Sequence, residues 1–253
     1  MAGLFGARLA LAAVDYDEHV DAVERETAAL AAAFGAAPLE ARVPTCPDWS
    51  LRDLAEHVAQ VTAFWTHILC EGMGRPKTPY AERAPDPGVD AWYAALGAHL
   101  VAELRATPPT TTIWTWVEHD KSACYAARRC ANELAVHRYD AQTAAGSPQP
   151  IAGPLAADAI EEIFVMIAAR DDPHDGGGQV LGVRATDSRD RWTITLAPEG
   201  PQLARGDGDA GLTLSGAVSD LALALFGRPT IGPVDPSGDR EILDAWYREF
   251  TFG

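Results

Sequence analysis

Two histidines and a glutamate are the residues of this chain best suited to chemistry. Glu133 and His137 stand four apart in SACYAARRCANELAVHRYDAQTAAG, residues 122–146, so on a helix they are surface neighbours. At 100° per residue Ala126, Cys130, Glu133, His137, Ala141 and Ala144 share one face. A buried helix stripe normally carries Leu, Ile and Val, whereas this one has small side chains around two polar ones. Taken alone, the pair reads as an i, i+4 hydrogen bond on a solvated face. His57 changes the reading. It lies in VPTCPDWSLRDLAEHVAQVTAFWTHIL, residues 43–69, at the border of an apolar stripe, where by itself it would be a core histidine. Together the three make a His2Glu set, which suits zinc with one coordination position left open. Zinc held in this way keeps a net positive charge and deprotonates a thiol at neutral pH, preparing a nucleophile for an electron-poor carbon.

These residues must be positioned by helices. Ser50 followed by Asp53 is an N-cap signature, and Leu51, Leu54, Val58, Val61, Trp65 and Ile68 then recur at three- and four-residue steps. The stretch 122–146 contains no proline, is rich in alanine, and stops at Gly146 and Pro148. A first helix is predicted over Tyr16 to Phe34, with Val20, Val23, Thr27, Leu30 and Phe34 inward and Gly35 as its stop. A third is predicted from Asp90 to Arg105 on Trp92, Leu96, Leu100 and Leu104. The segment 72–88 reads as loop, as does 107–119, where Trp114 and Trp116 are candidates for the wall of a small-molecule pocket. Four helices imply a bundle.

Pro148, Pro150, Gly153 and Pro154 mark a linker, which divides the chain into domains 1–150 and 151–253. Beyond it come a helix over 155–170, strands Val180 to Thr186 and Arg191 to Leu196 joined by a turn, and a short strand Leu212 to Ser215. A helix follows over Val218 to Phe226, and a last one, capped by Gly238 and Asp239, runs to Phe250. The second domain is therefore α+β with a mainly antiparallel sheet. His174, among Asp171, Asp172 and Asp175 in DDPHDGGG, reads as part of a solvated loop.

VPTCPDWSLRDLAEHV and ARRCANELAVHRYDAQTAAG together resemble the mycothiol-dependent maleylpyruvate isomerase family, whose N-terminal domain is a DinB-like four-helix bundle. LTLSGAVSDLALALFGRPT and SGDREILDAWY are similar to that family's C-terminal domain, which is sterol-carrier-like. The resemblance implies that His57, Glu133 and His137 bind zinc or another divalent metal, and that mycothiol is the cofactor thiol. It implies addition of that thiol to an activated cis double bond, rotation and release, or a related S-transfer to a small electrophile. It also implies an activity-supporting arginine at Arg228 in LFGRPT, where a two-pronged contact would bind a substrate carboxylate. The other reading of Arg228 is a helix-end group satisfying C-terminal carbonyls. Asp140, at i+3 from His137, is expected to support that histidine, and Arg138 to form an ion pair elsewhere.

A net charge of -16 without a basic run argues against nucleic acid or an anionic membrane as partner. The opening MAGLFGARLALAAVDYDEHV is too short to span a bilayer and lacks a charged n-region, so it reads as a disordered lead-in. Cys46, Cys70, Cys124 and Cys130 form no C-x-x-C pair, which fits reduced thiols in the cytoplasm. Cys130, one turn before Glu133, is either a small packing residue or a fourth ligand; Cys46 reads as loop packing. Two other classes of function stay open: a metal hydrolase using zinc-bound water, and a non-catalytic small-molecule carrier.

Overall fold

The computed structural model describes residues 14–72, 74, 82–118, 120–169 and 176–250. Residues 1–13 of the lead-in, part of the 72–88 loop and the 171–175 portion of DDPHDGGG lie outside the described residues, whereas the end of the lead-in, from Tyr16, is already helical. The chain divides into two compact units, one of which is Asp15–Ile151 and the other of which contains everything from Ala152 on.

The first unit is a bundle of α1 (Tyr16–Phe34), α2 (Leu51–Glu71), α3 (Val89–Ala106) and α4 (Ala123–Ala144). Local chemistry starts three of these helices. Asp15 with Glu18, and Ser50 with Asp53, form reciprocal capping boxes, while Ser122 accepts from the Tyr125 amide. α4 packs against both α1 and α2, and it is buried nearly all round from Ala123 to Ala141. This explains its lack of a Leu-rich stripe, since Ala126, Ala127, Ala131, Ala135 and Ala141 let two neighbours come close at once.

The face expected for α3 is corrected. Trp92 and Leu96 are only half-buried, and Tyr93, Gly97, Leu100, Val101 and Leu104 face inward. The reason is a close approach of α1, because a Cβ on Gly97 would lie 2.0 Å from Thr27 Cγ2. A glycine that reads as a weak point in a helix thus sets which side packs.

The second unit opens with α5 (Gly153–Ala168), whose Pro154 occupies the first turn. Its sheet has the order β3-β2-β1-β4-β5, from β1 (Gln179–Ala185), β2 (Arg191–Ala197), β3 (Gly200–Arg205), β4 (Leu212–Gly216) and β5 (Val234–Gly238). β1 and β4 pair parallel, and the other three pairings are antiparallel. Trp192, Ile194 and Leu196 alternate inward as their spacing predicts. The edge strands β3 and β5 are not expected from the sequence. Each contains a proline, Pro201 or Pro236, which demotes a strand reading but is tolerated at an edge. α6 (Val218–Leu225) and α7 (Glu241–Glu249) complete the unit, with Trp246 Nε1 donating to the Leu225 carbonyl at 2.9 Å. Among the described residues no helix is long and apolar enough to cross a membrane.

Candidate metal centre

Within the first unit, α2 and α4 bring His57, Glu133 and His137 together, with one ligand atom from each lying within 4.8 Å of the others. His57 Nε2 and His137 Nε2 are each 3.4 Å from the same Glu133 oxygen, Oε1. Glu133 and His137 meet because they are one turn apart on α4, and His57 faces them from the border of α2's buried face, its side chain 35% exposed. Two neutral imidazoles and a carboxylate converging in this way could hold a divalent metal.

Three further groups orient these side chains. His137 Nδ1 lies 2.9 Å from Asp140 Oδ2, and since a carboxylate only accepts, Nδ1 is the donor of that contact and Nε2 is the ring nitrogen left on the Glu133 side, 3.4 Å from Oε1. Asp140 is fully buried, and the Cys46 thiol contacts the same Oδ2 at 3.9 Å. Arg129, one turn before Glu133, pairs with Glu133 Oε2 and leaves Oε1 to the histidines. Trp49 covers both rings, with centroids 4.9 Å from His57 and 6.3 Å from His137.

The turn before α2 places Trp49 and Cys46. The Val43 amide donates to Trp49 O at 3.0 Å, the Trp49 amide donates to Cys46 O at 2.9 Å, and Arg42 bridges to Ser50. Trp49, Cys46 and Arg129 carry no expected role at the site in the sequence. Trp49 left one signal, its place directly before the N-cap Ser50, where an apolar residue commonly packs against the first turn of a helix. Arg129 left another, the i, i+4 spacing 129, 133, 137. Cys46 belongs to this surrounding rather than to loop packing alone. Cys130 is buried and is not among the grouped donors. Arg138 points away and its Nε donates to Glu26 Oε2 at 2.8 Å.

Trp114 and Trp116 pack against Phe64, Trp65 and Tyr125, with Trp116 5.2 Å from Trp65 and 40% exposed. Phe64 is seven residues beyond His57, so this aromatic cluster lies roughly 10 Å further along α2.

Arg228 belongs to the second unit. Its amide donates to Leu223 O at 2.8 Å and the Gly227 amide to Ala224 O at 2.9 Å, closing α6 through Gly227 at φ 71°. Its Nη1 donates to Phe226 O at 2.9 Å, and the residue is buried.

Burial, followed by the neighbouring His137 and Arg129, pushes the His57 ring down to about 4. A folded value below the unfolded one means that the unfolded chain takes up a proton first as pH falls. This contribution to stability is present above about 6.5 and is lost as pH drops through about 4. Metal-free protein should therefore lose denaturant resistance across that window, and His57→Gln should flatten the slope; parallel pH profiles for the two proteins would contradict the assignment.

Residues 20–142 match the family model of the mycothiol maleylpyruvate isomerase N-terminal domain. Among solved structures, the chain is similar to the crystal structure of the mycothiol-dependent maleylpyruvate isomerase. Identity is 16% and the TM-score 0.55, over 88% of this chain and 93% of that one. A histidine-to-alanine mutant of that isomerase matches at 16% identity and a TM-score of 0.56, with the same coverage. At this identity the likeness speaks for the fold. A search of curated proteins gives no match.

Proposed function

We propose that this chain, whose residues 20–142 match the family model of the mycothiol maleylpyruvate isomerase N-terminal domain, is a metal- and mycothiol-dependent enzyme acting on a small electrophile by cis-trans isomerisation or S-transfer. The observation that carries the proposal is the meeting of His57 Nε2, His137 Nε2 and Glu133 Oε1, with Asp140 behind His137. The donor set fits zinc, which when bound there would supply the Lewis acidity that lowers the pKa of a thiol in the remaining position.

The chain's own residues prepare that position. Asp140 holds His137 in the Nδ1-protonated tautomer, so that Nε2 stays available as a ligand atom. Arg129 restrains one oxygen of Glu133 and thereby aims the other. Trp49 excludes water from one side of both imidazoles. The aromatic cluster around Trp116 is the proposed wall for an apolar part of cofactor or substrate. Arg228 is proposed to bind a substrate carboxylate through its planar fork, and the absence of any disulfide among the cysteines suits a cytoplasmic setting.

Asp140→Asn keeps the shape but removes the charge behind His137, so zinc affinity should fall about 10–100-fold in a competition titration. Unchanged affinity would mean that Asp140 only packs. The function itself is tested by turnover of a maleylpyruvate-type cis-alkene by zinc-loaded protein with and without mycothiol. Turnover should require the thiol, and Arg228→Lys should lower kcat/KM for carboxylate substrates without changing metal content. Equal turnover without thiol would replace this reading by a metal-hydroxide hydrolase.

A further inference from the structure

Cys70, His99 and Glu103 form a second group of ligand-type side chains, apart from the centre described above. One ligand atom from each lies within 4.8 Å of the others, and His99 Nε2 is 3.5 Å from Glu103 Oε1. Two packed helices fix this placement, since Cys70 is the next-to-last residue of α2 while His99 and Glu103 stand one turn apart on α3. The pattern repeats that of the first centre, in which a histidine and a carboxylate at i, i+4 on one helix meet a third donor from α2. Thirteen residues separate Cys70 from His57, roughly 20 Å of helix, so the two groups cannot share an ion.

We propose that Cys70, His99 and Glu103 are a second metal site, open to solvent, that takes a borderline divalent ion such as zinc. Cys70 is exposed and the His99 side chain is 61% exposed, so an ion reaches all three donors without any opening of the bundle. As the sulfur-metal bond forms, the thiol proton leaves to solvent, and no electron is transferred. Thiolate and imidazole select zinc, cobalt or nickel over magnesium and calcium, which prefer all-oxygen sites. An ion here would tie the end of α2 to α3 and add to the stability of the folded bundle by mass action.

Cobalt titration of the full chain in the absence of any added thiol tests the site, because the first centre contributes no sulfur. Wild-type protein should develop a sulfur-to-cobalt charge-transfer band, and Cys70→Ser should lose it together with one bound cobalt per chain. His99→Ala should weaken the band's cobalt affinity about tenfold or more. The His57→Ala, His137→Ala double variant should keep the band unchanged, which separates this site from the first centre whatever that centre binds. A band that survives in Cys70→Ser, or wild-type protein that gives no band at cobalt well above two equivalents per chain, would overturn the proposal and leave the trio as a surface polar group.

Discussion

Replacing both His57 and His137 by alanine should strip the divalent metal from the first centre and abolish activity while leaving the bundle folded. The two imidazoles supply two of the three grouped donors, and Glu133 alone, already paired with Arg129, is a poor site for zinc. Loss of a partner behind a ligand costs about 10–100-fold in metal affinity, so loss of two ligands should exceed that. The fold should tolerate the change. Alanine is the best helix former, α4 is already rich in it, and the packing of α1, α2 and α4 rests on residues such as Leu30, Leu54, Val58 and Leu134. Metal analysis and far-ultraviolet circular dichroism on the same samples check both halves, ideally with Cys70→Ser included so that only one centre is counted. Full metal occupancy in the double variant would defeat the assignment.

Arg138→Ala should cause a large loss of stability. Arg138 Nε donates to Glu26 at 2.8 Å, and its other nitrogens reach Gln142 Oε1 and the carbonyls of Gln149 and Pro150 at 2.6–3.1 Å. One guanidinium therefore ties α1 to α4 and holds the segment after α4. Both ion-pair side chains are less than 10% exposed. Truncating one partner of a buried pair leaves an uncompensated charge, which costs about 3–5 kcal/mol, a large share of the roughly 5–15 kcal/mol that holds a domain folded. Glu26→Leu combined with Arg138→Met should recover much of the loss, because the unpaired charge is gone. Urea unfolding of the wild type and these two variants reads this directly. An Arg138→Ala midpoint near that of the wild type would show that water reaches Glu26.

The contrast between α2 and α3 shows what the sequence makes legible. α2 has its capping box and apolar repeat in local spacing, so both its start and its inward face can be read from residues within one or two turns. On α3 two faces compete on hydrophobicity, with Trp92 and Leu96 against Tyr93 and Val101. The choice is made by Thr27 on another helix closing onto Gly97, which no window of α3 contains. The edge strands β3 and β5 fail for a similar reason, as proline excludes a central strand but not an edge, and edge position is a property of the whole sheet. At the candidate centre, the meeting of His57 with Glu133 and His137 is legible from residue type and helical spacing. Trp49 and Cys46 are not. They reach the histidines and Asp140 through the turn Val43–Trp49, whose hydrogen bonds leave no periodic trace in the chain.

A cofactor thiol at the first centre is the central claim, and cobalt reports on it most directly. Cys70→Ser protein loaded with cobalt should gain a sulfur-to-metal charge-transfer band on adding millimolar mycothiol, since thiolate sulfur is the softer ligand and displaces water. Glutathione, with the same sulfur but a different body, should produce a much weaker band, and the His57→Ala, His137→Ala variant none. An unchanged spectrum with mycothiol, together with turnover that proceeds in its absence, would contradict the account.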